Sequence, residues 1–218
     1  VRTPERIGPV ELWRFDLGLT ATELAQCWDA LSEHDRVRAD KLSSPEVHRR
    51  FVAARGGLRQ TLAGYVGVRA AALVLTGGAH GKPVLPGGPS FSLSHSGDLA
   101  LCAVVWNRAV GVDLEQMRPI PEADSIAAGW FGPLDWATYR AAGDDRQRED
   151  TFLRLWTRRE AYLKARGVGI TSKAPPEDID PRLWEVRELH PGEGYVGALV
   201  WEQTPLRFPC ASPGAQGR

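Results

Sequence analysis

The run Leu99-Ala-Leu-Cys-Ala-Val-Val-Trp106 contains no charged residue, no glycine and no proline. Alternate residues of a strand face opposite sides, so a strand apolar on both faces needs a covering layer on each side of its sheet. Phe91-Ser-Leu-Ser-His-Ser-Gly precedes the run, which predicts two strands about a Ser96-Gly97-Asp98 turn. Asn107-Arg108 predicts the next turn, and Val110 to Glu115 the third strand of the same meander. Val10-Glu-Leu-Trp-Arg-Phe-Asp-Leu17 alternates apolar and polar residues and predicts a half-buried strand. Leu183 to Leu189 and Tyr195 to Trp201 predict two more.

Helical spacing appears in two long stretches. From Pro45 to Val66, Phe51, Leu58, Leu62 and Tyr65 share a face that Arg50, Arg55 and Arg59 rim. Thr151 to Ala165 is the second, ended by Gly167. A shorter helix follows a cap at Thr20 or Thr22, and residues 116–150, with Pro119, Pro121 and Pro133, predict short helical pieces. Residues 76–90 are dense in glycine and proline and predict a loop. Helices and strands mix without strict alternation, which places the chain in the α+β class. No repeat is visible in the residues themselves.

Lys and Arg number 27, as do Asp and Glu, so the net charge of zero gives no field of the kind that holds nucleic acid, and a basic site must be local. Cys27, Cys102 and Cys210 are scattered, with no CxxC or Cys/His cluster, which argues against a zinc site or a disulfide framework and for a reducing compartment. No apolar run approaches the roughly 20 residues of a membrane span, and Val1-Arg-Thr-Pro-Glu-Arg6 lacks the apolar core of a signal peptide. The expectation is a cytoplasmic protein with no membrane or nucleic-acid partner.

Three constellations carry chemistry. In Val110-Gly-Val-Asp-Leu-Glu115 the period of two puts Val110, Val112 and Leu114 on one face and Asp113 with Glu115 on the other. Paired carboxylates suit a divalent cation with oxygen ligands, or simply a solvated edge strand. In the second long helix Glu160 and Lys164 stand one turn apart at the border of the apolar face, either a surface ion pair or the rim of a site. Arg159 falls inside the apolar stripe, where a charge lines a cleft or has a partner. Gly81-Lys82-Pro83 lacks the hydroxyl residue of a phosphate-binding Walker loop, and His95 between two serines is either a structural histidine or a phosphate donor.

Taken together, Arg50 and Arg55, Gly81-Lys82-Pro83, Ser94-His95-Ser96-Gly97, Gly111-Val-Asp-Leu-Glu115, Trp156-Thr-Arg-Arg-Glu-Ala-Tyr-Leu-Lys164 and Gly167-Val-Gly-Ile170 resemble the Sfp-type 4'-phosphopantetheinyl transferases in order and spacing, over about residues 10–172. The departure is Arg159, where that family usually has lysine. The resemblance implies a monomer of two similar α+β lobes related by a pseudo-twofold axis, each a small antiparallel sheet packed with helices. The lobes would be residues 1–108 and 109–205, with a frayed tail at 206–218 and the active site in the cleft between them.

It further implies transfer of phosphopantetheine from coenzyme A to a serine of an acyl or peptidyl carrier protein in polyketide or non-ribosomal peptide synthesis. Asp113, Glu115 and Glu160 would hold Mg²⁺, for which Mn²⁺ is a substitute. Glu160 would be the base, and Lys164 would neutralise phosphate charge. Coenzyme A would be bound by Arg50, Arg55, Lys82, Pro83, Ser94 and His95, by Asp113, Arg159 and Lys164, and by Arg38 and Lys41 as neighbours. The carrier would dock over Met117 to Phe131, where Arg118 sits.

Overall fold

A computed structural model describes residues 3–78, 81–168 and 176–204. Strands β1 (Glu5–Ile7) and β2 (Val10–Asp16) lead into α1 (Ala21–Asp29), α2 (Glu33–Asp40) and α3 (Pro45–Val66). The hairpin β3 (Thr76–Gly77) and β4 (Pro83–Val84) precedes β5 (Ser90–Ser96), β6 (Leu99–Val105) and β7 (Val110–Gln116). Then come α4 (Ala123–Trp130), α5 (Pro133–Arg140), α6 (Asp145–Arg166), β8 (Trp184–Leu189) and β9 (Tyr195–Glu202). This is a mixed helix and sheet fold of small antiparallel sheets packed with helices.

β6 is buried along its whole length, as its composition demands. Leu99, Leu101, Ala103 and Val105 meet Val10 and Leu12 of β2 and, from the other sheet, Val112, Leu114 and Leu199. Its other face, Ala100, Cys102 and Val104, packs with Phe15 against Ala54, Leu58 and Leu62 of α3. The strand ends at Val105, and Trp106 is exposed.

The expected meander breaks after β6. The first sheet has the order β1-β2-β6-β5, and β7 instead opens a second sheet, β7-β9-β8. Asn107, at φ 55°, takes the left-handed conformation that turns the chain away, an uncommon one that asparagine tolerates. α6 lies on β7 and β9, with Ala161, Tyr162 and Ala165 against Ala198 and Val200.

Both long helices have 22 residues and end at glycines in the left-handed region, Gly67 and Gly167, each with φ 68°. Ser44 caps α3 by accepting from the Val47 N–H, and Asp144 caps α6 by accepting from Gln147. α6 therefore starts six residues before the expected Thr151, because its first turns are polar and solvated and show no apolar period. Thr20, not Thr22, caps α1, and its side chain and that of Glu23 form a capping box. The sequence pattern did not predict α2, whose residues Glu33–Asp40 are mostly charged. The glycine-rich loop contains the β3–β4 ladder, Thr76 opposite Val84. Gly169 and Ile170, Cys210 and the 206–218 tail lie outside the described residues.

Candidate active site

A cleft of about 610 Å³ opens between α3 and α6, with β5 along its floor. Arg38 and Arg55 stand on one side, Glu160 and Lys164 on the other, and Lys82, Pro83 and His95 also line it. A larger concavity, about 1000 Å³, lies beside β1, β2 and β8. Its walls mix Arg6, Arg14 and Arg187 with Glu5, Asp16 and Glu188, so no single charge converges there, and the acids of β7 and α6 are elsewhere.

The strand period holds on β7. Val110, Val112 and Leu114 are buried in the inter-sheet core, and Asp113 and Glu115 project to the opposite side. α6 brings its carboxylate and ammonium to them because it packs directly on Gly111. A Cβ there would stand 1.9 Å from the Ala161 carbonyl oxygen. Lys164 Nζ donates to Asp113 Oδ1 at 2.6 Å and to Ser94 Oγ at 3.0 Å. Ser94 Oγ donates to the same Oδ1 at 2.7 Å, and Ser96 Oγ donates to Glu115 Oε2 at 2.8 Å.

Two oxygens are left over. Asp113 Oδ2 and Glu160 Oε1 are buried without a hydrogen-bond partner. An orphaned buried acceptor costs on the order of 1–3 kcal/mol, more when charged, so the pair marks a place that a ligand completes. Burial first, then the charge of Asp113, pushes the Glu160 carboxyl up to about 7 against the pull of Lys164. Glu115 is also raised, by burial first; its bond from Ser96 opposes this and the Asp113 charge adds to it. Among the described residues no three Asp, Glu, His or Cys side chains converge as a ready cation cage. The fit to a cation rests on the orphaned oxygens and on an all-oxygen donor set, which suits Mg²⁺.

On the opposite wall, Arg55 is held by the buried Asp35, Nε at 3.1 Å and Nη2 at 2.9 Å from Oδ1. Asp35 Oδ2 takes Arg59 Nη1 at 3.1 Å. Arg59 does not rim the apolar face of α3. It is fully buried and donates to the carbonyls of Ala30, Ala70, Ala71 and Leu73. Arg38 lies 5.4 Å over the Phe51 ring. His95 is exposed at the cleft edge, yet partial desolvation first, and then the Lys164 and Arg50 charges, hold its imidazole below the ordinary range.

Lys82 reaches from the β3–β4 hairpin to the Val110 carbonyl at 2.8 Å and the Lys164 carbonyl at 2.7 Å. Burial and the nearby Lys164 charge lower it to about 8.

Five of the expected coenzyme A residues, Lys41, Arg50, Ser94, Asp113 and Arg159, and the expected cation ligand Glu115 are not among those lining the cleft, although Lys164, which lines it, bonds both Ser94 and Asp113. Arg50 pairs at the surface with Glu46 and, at 2.9 Å, with Asp98. Lys41 is exposed at the end of α2. Arg159, only 1% exposed, turns into the packing instead, Nη1 donating to the Glu177 carbonyl at 2.7 Å with its guanidinium 5.7 Å from the Tyr162 ring centre. Its position in the apolar stripe of α6 dictates this. The partner came from chain that no local pattern could identify. Reading the sequence gave no role to Asp35, nor to Ser96 beyond its place in the Ser94-His95-Ser96-Gly97 motif; serines at alternate positions of a predicted strand were the signal for the latter.

A buried glutamate, an aspartate with a free oxygen and a lysine, facing arginines and a histidine across one cleft, form the kind of site that handles a phosphate-rich ligand. A model of the 4'-phosphopantetheinyl transferase superfamily matches residues 109–210. The 4'-phosphopantetheinyl transferase HetI of Nostoc sp. is 37% identical over 206 residues, 88% of this chain and 86% of that protein. A 4'-phosphopantetheinyl transferase of Bacillus subtilis is 29% identical over 77% of this chain and 73% of its own length. The transferase Sfp of the same species is 32% identical over 48% of this chain and 45% of its own. The chain belongs to the 4'-phosphopantetheinyl transferase superfamily.

Proposed function

We propose that this chain transfers 4'-phosphopantetheine from coenzyme A to a serine hydroxyl of an apo acyl or peptidyl carrier protein, giving the holo carrier and adenosine 3',5'-bisphosphate. The observation that carries this is the meeting of Asp113, Glu160 and Lys164 beside a cleft whose far wall is basic. Coenzyme A lies in that cleft, its 3'-phosphate toward Arg38, Arg55 and His95, with Arg50 and Lys41 as outer charges. Lys82 reaches the phosphates by giving up its carbonyl partners. Ser94 has its hydroxyl engaged within the protein, and Arg159 is buried with Nη1 on the Glu177 carbonyl and Nε unpartnered; both act in support of the site.

Asp113, Glu115 and Glu160 would hold Mg²⁺, or Mn²⁺ in its place, through hard oxygens. When bound, the cation neutralises pyrophosphate charge as a Lewis acid. Glu160 sits desolvated with a free oxygen and a carboxyl raised to about 7, poised to take the proton of the carrier serine near neutral pH. The serine oxygen forms a bond to the β-phosphorus as the bond from that phosphorus to the bridging oxygen of the α-phosphate breaks. Lys164 balances charge on the phosphate oxygens, and positioning supplies most of the rate.

The chain is read as two lobes, 1–108 and 109–205, related by a pseudo-twofold axis with the cleft between them. Strand orders β2-β6-β5 and β7-β9-β8, the equal lengths of α3 and α6, and the pairs Asp35 with Asp135 and Arg59 with Arg159, all buried, support this. The carrier docks on the exposed Met117, Arg118 and α4, so Arg118→Glu raises the carrier KM. The protein works as a cytoplasmic monomer serving polyketide or non-ribosomal peptide assembly.

Incubation of the chain with coenzyme A, Mg²⁺ and apo carrier tests the reading by mass spectrometry. A carrier heavier by one phosphopantetheine group is expected, and Glu160→Gln abolishes the gain. Unmodified carriers throughout refute it, and release of adenosine bisphosphate without a carrier marks a hydrolase instead.

A further inference from the structure

Two sheet edges meet beside the acids. β5 is the last strand of the first sheet and β7 the first of the second. Unpaired edges need satisfying, and here side-chain hydroxyls do part of that work. Ser92, Ser94 and Ser96 occupy alternate positions of β5 and all turn toward β7. Ser92 Oγ accepts from the Val112 N–H at 3.1 Å, and Ser96 Oγ accepts from the Gln116 N–H at 3.1 Å. The offset between the strands is the same at both ends, so the seam has a fixed parallel register.

Two of the three hydroxyls also grip carboxylates. Because Ser96 Oγ accepts from a main-chain N–H, its own proton is free for Glu115 Oε2 at 2.8 Å. Ser94 Oγ accepts from Lys164 and donates to Asp113 Oδ1, and Lys164 closes the triangle on that oxygen. One oxygen of each β7 carboxylate is thereby tied to the opposite sheet. Asp113 Oδ2 is left buried and unpartnered. Ser94 is only 7% exposed, and its hydroxyl both donates and accepts within this triangle.

We propose that Ser94 and Ser96 are positioning residues, which lock Asp113, Glu115 and Lys164 before ligands arrive so that the carboxylate oxygens left over face the phosphates and the cation. Outer-shell partners of ligating carboxylates commonly govern affinity in this way, and prior ordering removes a cost that binding would otherwise bear. The inference rests on the transfer reading above and deepens it.

The test uses the full chain with coenzyme A present, Mn²⁺ as the probe, bound Mn²⁺ read by electron paramagnetic resonance, and steady-state kinetics with apo carrier. Ser96→Ala weakens Mn²⁺ binding by about tenfold or more, and Ser96→Thr, which keeps the hydroxyl, recovers most of it. Ser96→Cys, of similar volume with a weaker donor, replaces Ser96→Ala if that variant does not fold. Ser94→Ala lowers kcat with little change in the KM for coenzyme A, whereas loss of a direct ligand would raise KM. Ser92→Ala breaks the same seam without touching a carboxylate, so it lowers the urea midpoint and leaves Mn²⁺ affinity at the parental value.

Parental Mn²⁺ affinity in Ser96→Ala, or a raised KM at unchanged kcat in Ser94→Ala, overturns this inference and leaves the transfer reading standing. Equal weakening in Ser92→Ala overturns it as well, by showing that the seam as a whole is responsible. A parent chain that neither binds Mn²⁺ with coenzyme A nor modifies a carrier overturns the transfer reading and this inference with it.

Discussion

Glu160 concentrates the conflict between folding and chemistry in one side chain. It is 5% exposed, one of its oxygens has no partner, and burial with the nearby Asp113 charge lifts its carboxyl to about 7. Unfolded, a glutamate titrates near its ordinary value of about 4.3. The folded chain therefore keeps a proton that the unfolded chain has released, and the associated stability is complete below the unfolded value and lost as pH rises through about 7. Glu160→Gln removes that burden. Metal-free Glu160→Gln should be more stable than the parent at pH 8, by on the order of 2 kcal/mol, with the difference shrinking at pH 5. Urea titrations at the two pH values measure it. A variant no more stable than its parent at pH 8 would show that the buried carboxylate is not strained in the free protein.

At the scale of elements, the site depends on how closely α6 approaches β7 and how α2 braces α3. Gly111 has no positive φ to require glycine; it is there because a Cβ would collide with the Ala161 oxygen and lie 2.5 Å from the Ala165 nitrogen. Gly111→Ala must push α6 off the strand, costing about 3 kcal/mol or more and separating Lys164 from Asp113. Thermal unfolding and transfer assays check both effects, and parental values in each would mean that the contact can relax. Across the cleft, Asp35 holds Arg55 and the buried Arg59 together. Burial raises the Asp35 carboxyl, but Arg55, Ser32 and Arg59 outweigh it, so the net shift is downward. Its contribution is present above the unfolded value and is lost as pH falls through the folded one. Asp35→Asn strands the Arg59 charge, so about 3 kcal/mol is lost and the KM for coenzyme A rises as Arg55 loosens. Equilibrium denaturation with coenzyme A kinetics tests this pair of effects. β6 and α3 were legible in the sequence because unbroken apolar runs and helical spacing report burial directly. α2 was not, since a short charged helix owes its existence to its Ser32 cap and to Asp35 pairing with α3. Arg59 was misplaced for a related reason: apart from Asp35, what it bonds is backbone from elsewhere in the chain, and for Arg159 the sequence likewise offered a cleft or a partner without identifying the Glu177 carbonyl.

Across the whole molecule, the two-lobe proposal implies a repeated frame whose chemistry differs between its halves. Trp13 and Phe15 of β2 correspond in strand position to Asp113 and Glu115 of β7, and Gln60 and Gly64 of α3 to Glu160 and Lys164 of α6. Only the second half carries the acids, which is why comparing residue identities shows no repeat. The halves are not independent bodies, however. Leu99, Leu101 and Val105 from the first sheet and Val112, Leu114 and Trp201 from the second are buried in one cluster, and the serines of β5 clasp β7. Separating the halves would expose that cluster at about 25 cal/mol per Å² of apolar surface, so neither half should hold its fold alone. Unfolding should then be a single transition. Leu101→Ala, which opens a void between the sheets, should lower stability by about 2–5 kcal/mol and do so for both halves together. Hydrogen exchange at rising urea measures this directly: amides of α3 and α6 should lose protection at the same concentration, and in the variant both should move down by the same amount. A separate step for α6, unmoved by Leu101→Ala, would instead mean that the second half folds on its own core of Phe131, Tyr139 and Phe152 and that the cleft joins two autonomous units.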